Sequence, residues 1–205
     1  MKKVTFLILF FATSFQLVNA QNNIALGPIV GIGLSKIGGG DVDKENTKFL
    51  PSYDFGASVI FSTQANWGIG ADFLYSAEGT RAEDGGVKFD TKIDYVRVPL
   101  RFIYFFGDWD KTIRPKIFVG PTFGFLVKAK SEDQDIKDVV NSFDLGAHIG
   151  AGVNIKIAEQ VWLNTDVTYT HGITQLYKTD LFDIKASNRR IGLNVGVLFG
   201  IGSAK

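Results

Sequence analysis

The chain has 205 residues, contains no cysteine and carries 22 basic and 21 acidic residues. This length suits a single domain, and the lack of cysteine excludes disulfide bonds and thiolate metal sites. The near-zero net charge argues against a nucleic-acid-binding surface, which would be strongly basic. Hydrophobic residues make up 45% of the chain, and their spacing indicates the fold.

The first 20 residues have the pattern of a secretory signal peptide. Two lysines precede an apolar run that ends at Val18, and a Val-Asn-Ala ending places the cleavage site after Ala20. The run is shorter than the ~20 residues that a membrane-spanning helix needs, so we favour a cleaved signal over a retained anchor. The sequence predicts an exported protein in which residues 21–205 form one domain.

After the signal, eight segments alternate apolar residues with polar residues or glycine, a period of two that is typical of β-strands. With 12 to 16 residues each, they exceed the usual five or six of a soluble strand. They are long enough to cross a bilayer at a tilt, which takes about 9–11 residues. The predicted strands cover residues 24–35, 52–63, 66–78, 92–106, 115–128, 142–157, 160–172 and 188–201.

The links between these strands alternate in length. Long polar links cover residues 36–51, 79–91, 129–141 and 173–187, and short ones cover residues 64–65, 107–114 and 158–159. Outer-membrane barrels have short periplasmic turns and long external loops. The sequence therefore predicts an all-β fold, an eight-stranded antiparallel up-and-down transmembrane β-barrel with both ends in the periplasm.

The last predicted strand shows which face contacts lipid. Every second residue from Ile191 to Ile201 is apolar, and glycine or asparagine fills most of the positions between. A soluble, lipocalin-like barrel is the alternative, but it would carry charges on its outward face. We therefore predict an apolar face toward lipid and a narrow interior on the other side. The residues predicted to face lipid are Val96, Phe102, Ile149, Val195, Val197 and Phe199.

Aromatic residues collect near both ends of the predicted strands, where membrane–water interfaces favour amphipathic rings. By strict alternation Trp162 would point inward, which sets it apart from Trp67. The predicted interface aromatics are Trp67, Trp109 and Trp162 beside the short turns, and Tyr53, Tyr75, Tyr95 and Tyr169 near the long links.

The segments "DYVRVPLRFIYFFG" and "RPKIFVGPTFGFLV" resemble the Tyr-x-x-hydrophobic-Pro-Leu and Lys/Arg-Pro…Gly-Pro…Gly strands of the PorT-like outer-membrane β-barrel family, porin-family proteins of Bacteroidota-type bacteria. "FDLGAHIGAGVNI", "VWLNTDVTYTHGITQL" and "NRRIGLNVGVLF" resemble its last three strands. The resemblance covers essentially the whole mature chain and implies an outer-membrane barrel. It implies little chemistry, since the named member belongs to a protein-secretion and gliding apparatus and most relatives are unassigned.

Charged residues at inward positions predict an ion network inside the barrel. Such a network could form an ion or proton path, or it could be structural. Eight strands leave an interior just wide enough for side chains, which favours a filled, structural interior. The predicted network consists of Asp54, Asp72, Arg97, Arg101, Lys116, Asp144, His148, Lys156 and Asp166.

Catalysis and metal binding are weakly indicated. His171 and Ser187 lie near the outer rim, but neither a His-x-Ser pair nor a Gly-x-Ser-x-Gly elbow accompanies them. The acidic runs at 41–46 and 131–138 could share divalent cations with lipopolysaccharide phosphates, yet the first lacks the glycine and final glutamate of an EF-hand loop. We predict no catalytic residue, no cofactor and no specific metal site.

Three classes of function remain open. The favoured one is a membrane-embedded interaction or assembly module with a side-chain-filled interior. The alternatives are a narrow channel or small-solute transporter and, less favoured, a lipid A-modifying enzyme. The expected partners are outer-membrane lipid, lipopolysaccharide and a protein of an envelope complex, and no nucleic acid is expected.

Overall fold

The computed structural model describes residues 23–39, 47–63, 65–84, 87–108, 111–178 and 186–201. The predicted signal peptide, Trp109 and the acidic run 41–46 lie outside these ranges. Within them, no helix has the length and apolar character needed to cross a membrane. The strands are β1 (Asn23–Gly38), β2 (Thr47–Ser62), β3 (Trp67–Asp84), β4 (Val87–Phe105), β5 (Ile113–Ser131), β6 (Gln134–Asp135), β7 (Phe143–Ala158), β8 (Val161–Gly172) and β9 (Ser187–Ile201).

The eight long strands close into an antiparallel barrel. Each pairs with its neighbour along the chain, and β1 pairs with β9 from Ile24–Ile201 to Gly38–Ser187. The two-residue strand β6 pairs with the last residues of β5. Closure leaves no free sheet edge, so every strand of the wall has partners on both sides. The predicted fold class, an all-β eight-stranded antiparallel up-and-down barrel, is confirmed.

The period-two pattern separates the two faces of the wall. Along β9, Gly192, Asn194, Gly196 and Leu198 are buried while the residues between them are exposed or partly exposed. The same alternation around the barrel produces an apolar belt, a band of exposed large apolar side chains on the outer wall. The six residues predicted to face lipid all lie on this outer face: Phe102, Ile149, Val195 and Phe199 are exposed, and Val96 and Val197 are partly exposed.

Several strands extend beyond their predicted ends, most of all in the hairpin of β3 and β4. Residues 79–91 were expected to form a polar link, but β3 continues to Asp84, which pairs with Val87 at the start of β4. Likewise, β1 and β2 take up part of the predicted link 36–51, and β5 and β6 take up part of 129–141. The predicted loop at 79–91 is therefore wrong.

Cross-strand ion pairs explain why this segment stays extended. Arg81 donates from Nε and Nη2 to both carboxylate oxygens of Asp90, at 2.6 and 2.7 Å, and Lys48 on β2 pairs with Glu83. Such pairs stabilise neighbouring strands in water without any apolar alternation. A pattern search based on hydrophobicity therefore misses them. We call residues 80–84 and 87–91 the outer hairpin.

Candidate functional site

The barrel interior holds three layers of side chains along its axis. An apolar cluster lies at the inner end, where the short connections are found. Charged and polar side chains occupy the middle, and a second apolar cluster lies at the outer end, below the long connections. A solute crossing the barrel would have to pass all three layers.

The inner cluster contains the buried residues Ile60, Ile103, Phe105, Phe118 and Leu198. Trp162 is partly buried and packs against them. The prediction that Trp162 belongs to an interface belt is therefore wrong, because its position in the alternation of β8 directs it inward. This cluster closes the inner end with apolar surface.

Two cationic side chains near the inner end differ from the prediction in their burial. Lys156, predicted for the interior network, is exposed at the inner rim, and its Nζ lies 6.0 Å from the centre of the Trp162 ring. Its long apolar stem lets the charge reach water past the end of the wall. Arg114 is instead buried, with its guanidinium carbon 4.4 Å from the centre of the Phe105 ring. Arg114 lay in a predicted turn, although it shares the alternation of Lys116.

In the middle layer, the first group of ions centres on Arg101, which bridges two carboxylates. Its Nη2 pairs with Asp72 and donates to Ser58 Oγ at 2.9 Å, while its Nη1 lies 3.2 Å from Asp166 Oδ2. Lys116 Nζ lies 2.9 Å from the other oxygen of Asp166. These side chains come from β2, β3, β4, β5 and β8, so the group ties opposite walls of the barrel together.

A second group centres on Arg97. This guanidinium binds both carboxylate oxygens of Glu78, with Nη2 2.7 Å from Oε2, and its Nη1 lies 2.8 Å from Asp144 Oδ2. Ser76 donates a hydrogen bond of 2.9 Å to Glu78, and Thr174, just past β8, donates to Asp144 at 3.2 Å. Bidentate geometry and neighbouring hydroxyl donors are what a buried ion pair requires to offset its desolvation.

The third group joins β9 to β2. Arg190 pairs with Asp54 and donates from Nε to Ser52 Oγ at 3.2 Å. Asn194 donates to the other Asp54 oxygen at 2.6 Å. Asp54 is thus held by a charged donor and an amide, as a buried carboxylate requires.

The structure buries eight of the nine residues predicted for the interior network: Asp54, Asp72, Arg97, Arg101, Lys116, Asp144, His148 and Asp166. Two essential partners, Glu78 and Arg190, were missing from that prediction. Glu78 is the last residue of the predicted strand 66–78, and Arg190 lies two residues after the start of the last predicted strand, 188–201. Continuing the inward alternation to the strand ends would have identified both.

Little empty space remains between these ions. His148 stacks on Phe118 with ring centres 5.5 Å apart, and its Nδ1 lies 3.0 Å from Thr170 Oγ1. The cavity bounded by this layer measures about 20 Å³, which is room for about one water molecule. The middle layer is therefore packed.

The outer cluster is built from strand ends and from the connections that follow them. Its buried residues are Ile37, Ile93, Tyr95, Ala129, Val140, Leu176 and Ala186. Backbone bonds hold these connections across the mouth, with Asn141 N donating to Leu176 O at 2.8 Å and Leu176 N to Ala186 O at 2.8 Å. The long links therefore cover the barrel opening with apolar surface.

Tyr95 belongs to this cluster and not to the interface aromatics. Its side chain is fully buried, and its hydroxyl accepts a hydrogen bond of 3.1 Å from Asn188 Nδ2. The predicted interface role is wrong because Tyr95 shares the inward alternation of Arg97. Four other predicted interface aromatics lie on the outer wall near the expected ends: Trp67, Tyr53, Tyr75 and Tyr169.

The rim residues considered for catalysis are engaged separately. His171 Nδ1 lies 3.2 Å from the Tyr169 hydroxyl, whereas Ser187 Oγ donates to Gly38 O at 3.3 Å. Among the residues that the structure describes, no cluster of three or more histidine or acidic side chains is placed to hold a metal ion.

Comparison with known proteins places this barrel among outer-membrane proteins. A family described as outer membrane protein beta-barrel domain matches residues 19–178. No curated protein sequence matches the chain significantly. The chain is similar in structure to OprG of Pseudomonas aeruginosa, with 12% identity over 89% of this chain and 96% of OprG and a TM-score of 0.53.

It is also similar to Neisserial surface protein A, with 14% identity over 84% of this chain and 96% of that protein and a TM-score of 0.51. Identities this low show a shared fold alone. The family match is the stronger finding, because it spans most of the chain, including β1 to β8. The chain therefore belongs to the outer membrane protein beta-barrel domain family.

Proposed function

We propose that this outer-membrane barrel is a non-conducting interaction module, which presents its outer hairpin and external connections to a protein partner in the envelope. The observation that carries the proposal is the packing of the interior. Apolar clusters close both ends, and the ion-paired layer between them leaves a cavity of only about 20 Å³. A rigid, filled barrel suits a scaffold better than a passage.

A narrow channel or small-solute transporter is the alternative. Conduction would require the outer cluster around Tyr95 and the inner cluster around Phe105 to open together. It would also require the ion groups that cross the barrel through Arg97 and Arg101 to separate, leaving buried charges without partners. Both requirements argue against a steady open pathway.

The outer hairpin supplies a surface for a partner. Val87 is 56% exposed and Phe89 is 39% exposed. Both lie at the outer end of β4, farther from the apolar belt than Lys92. Exposed apolar side chains outside the membrane favour protein contact over free solvation. The PorT-like resemblance of β4 and β5 supports this role, since the named member of that family works inside a multi-protein apparatus.

Cross-linking in native outer membranes tests the proposal. A tag inserted after Lys178 leaves both chain ends free, and we expect a stoichiometric protein partner to be recovered with the barrel. The double variant Val87→Ser/Phe89→Ser should lose that partner, whereas Lys88→Ser, on the opposite face of the same strand, should retain it. Recovery of the barrel alone, together with steady single-channel conductance, would contradict the proposal.

We also propose that the protein is not a lipid A-modifying enzyme, since His171 and Ser187 make separate hydrogen bonds at the rim. Mass spectrometry of lipid A from a deletion strain tests this point. Unchanged acylation is expected, and an altered acyl pattern restored by the wild-type chain but not by His171→Ala would contradict it.

A further inference from the structure

A pocket of about 410 Å³ lies on the outer wall of the barrel, across strands β2 to β5 and near their outer ends. Four cationic and two acidic residues line it: Arg81, Lys92, Lys128, Lys130, Asp94 and Glu78. The Glu78 carboxylate is already paired with Arg97 inside the barrel. Tyr53, one of the aromatic residues at the outer edge of the apolar belt, forms part of its lower border. The pocket thus lies where the membrane surface meets water.

A β-bulge places two of these lysines on the outer wall. Along β5 the inward residues have even numbers up to Gly124, so Lys128 would be expected inside. The pairing with β4 shifts between Asp94 and Tyr95, which adds Val127 to the strand, and the buried position moves to Ala129. Lys128 and Lys130 therefore face outward.

The register opposes like charges in this pocket. Lys92 pairs directly with Lys130, and Lys128 lies next to them opposite Asp94. Like charges directly across a sheet are destabilising. Lys92, Lys128 and Lys130 make no ion pair with any residue that the structure describes. The nearby carboxylates are engaged elsewhere, Asp94 by the Tyr75 hydroxyl at 2.7 Å and Asp90 by Arg81.

A second irregularity recesses the wall beside the lysines. The pairing of β2 with β3 shifts between Phe49 and Tyr53, around Pro51. Opposite this shift, Gly79 approaches β4 so closely that a Cβ would lie 2.1 Å from Thr91 O. Ser35 Oγ bonds both N and O of Gly79, at 2.9 and 3.0 Å. The backbone is thus satisfied while the outer surface keeps a depression.

The inner ends of the same strands have no comparable group of cationic side chains on the outer wall among the residues that the structure describes. Around the inner rim the outward side chains of β3 and β4 include Trp67, Tyr104 and the neighbouring Phe106. The outer leaflet of an outer membrane presents the phosphates of lipopolysaccharide, so a cationic recess at the outer end faces anionic head groups. Cationic side chains near an anionic membrane surface attract its lipids.

We propose that this pocket binds the phosphorylated disaccharide head group of one lipid A molecule. Lys92, Lys128 and Lys130 contact a phosphate and relieve their mutual repulsion. Tyr53 and the apolar belt below it contact the upper part of the acyl chains. The pocket would then fix the barrel's height and rotation among the surrounding lipopolysaccharide.

The test is lipid binding to the full-length protein in detergent, measured by native mass spectrometry with purified bisphosphorylated lipid A. The double variant Lys92→Gln/Lys130→Gln removes the opposed pair and should bind lipid A about thirtyfold more weakly. Lys111→Gln/Lys156→Gln removes two charges from exposed inner-end positions and should bind as the wild type does. Lys92→Arg/Lys130→Arg should retain binding, and heat-modifiable gel mobility shows that each variant is folded.

Binding measurements with other ligands test whether the pocket recognises the phosphates of lipid A. Lipid A without phosphates should bind as weakly to the wild type as bisphosphorylated lipid A binds to the glutamine variant. Equal affinity of the wild type and Lys92→Gln/Lys130→Gln would overturn the proposal, as would an equal loss in the inner-end control. Displacement of lipid A by an equimolar amount of inorganic pyrophosphate would also overturn it, since the pocket would then be a site for free phosphate.

Discussion

The charged residues inside the barrel and the lysines of the pocket on its outer wall follow opposite arrangements. Inside, each cation of the middle layer meets a carboxylate, as Arg97 meets Glu78 and Arg190 meets Asp54. On the outer wall, Lys92 is set against Lys130 and nearby acids are engaged elsewhere. Interior charges are balanced because the packed barrel shields them from bulk water, whereas the outer lysines lie on the surface, where a ligand from the membrane can reach them.

The largest effect is expected when an interior charge is removed. Arg101→Ala leaves Asp72 without its ion partner in a packed layer, and we expect a loss of ~3–5 kcal/mol in unfolding free energy. Urea unfolding in lipid vesicles, followed by tryptophan fluorescence, measures it. Arg81→Ala, which removes a partly exposed pair in the outer hairpin, is the matched control and should have a small effect on global unfolding. An unchanged midpoint with a new steady conductance in Arg101→Ala would refute the filled interior.

A charge added to the apolar belt should lower the unfolding free energy less than Arg101→Ala does, but much more than the same charge added outside the belt. Val195→Arg places a guanidinium on the lipid face, near the middle of β9, and is expected to destabilise by ~2–4 kcal/mol. Val87→Arg makes the same change in the outer hairpin, where water surrounds the side chain. Folding yields into vesicles compare the two variants. Equal tolerance would mean that Val195 does not face lipid.

Removing a charge from the outer lysines should raise the unfolding free energy instead of lowering it. Lys92→Gln removes half of a like-charge pair, so unfolding free energy in neutral detergent should rise by about a few tenths of a kcal/mol. Adding lipid A should stabilise the wild type more than this variant. A fall in stability in lipid-free detergent would show that Lys92 has a favourable partner.

The smallest effect concerns pH and the outer hairpin. The hydrogen bond from Arg81 lowers the pKa of Asp90, and the hydrogen bond from Lys48 lowers the pKa of Glu83. A lowered folded-state pKa contributes stability above the unfolded value, which is lost as pH falls through the folded value. Amide exchange in residues 80–91, corrected for intrinsic rate, should therefore speed up below about pH 4. Asp90→Asn should weaken this pH dependence, and an unchanged profile would contradict it.

The fold could be predicted from sequence because lipid imposes a simple rule on each strand. Only a closed barrel satisfies the backbone in a bilayer, and the period-two pattern from Ile191 to Ile201 shows which face meets lipid. The same rule failed beyond the belt. The outer hairpin is charged on its outward face, so its strands depend on pairs such as Arg81 with Asp90, which no apolar pattern reveals.

The candidate sites were predictable only as far as strict alternation holds. Strict alternation identified Arg101 and Asp72 as inward residues. It could not predict which charges pair, because the pairs join strands that only the closed barrel brings together. It also placed Trp162 and Tyr95 inside, against their assignment to the interface. The lysine pocket could not be foreseen, because the bulge at Val127 reverses the faces of β5 and nothing in the local sequence marks it.

The most direct test of the filled interior is single-channel recording of the purified wild-type protein in planar bilayers. With both ends closed by apolar clusters and a cavity of about 20 Å³ between them, no steady stepwise conductance should appear at any applied voltage that the bilayer withstands. Reproducible unitary steps, abolished by heat denaturation of the protein, would contradict the account and establish an open pathway through the barrel.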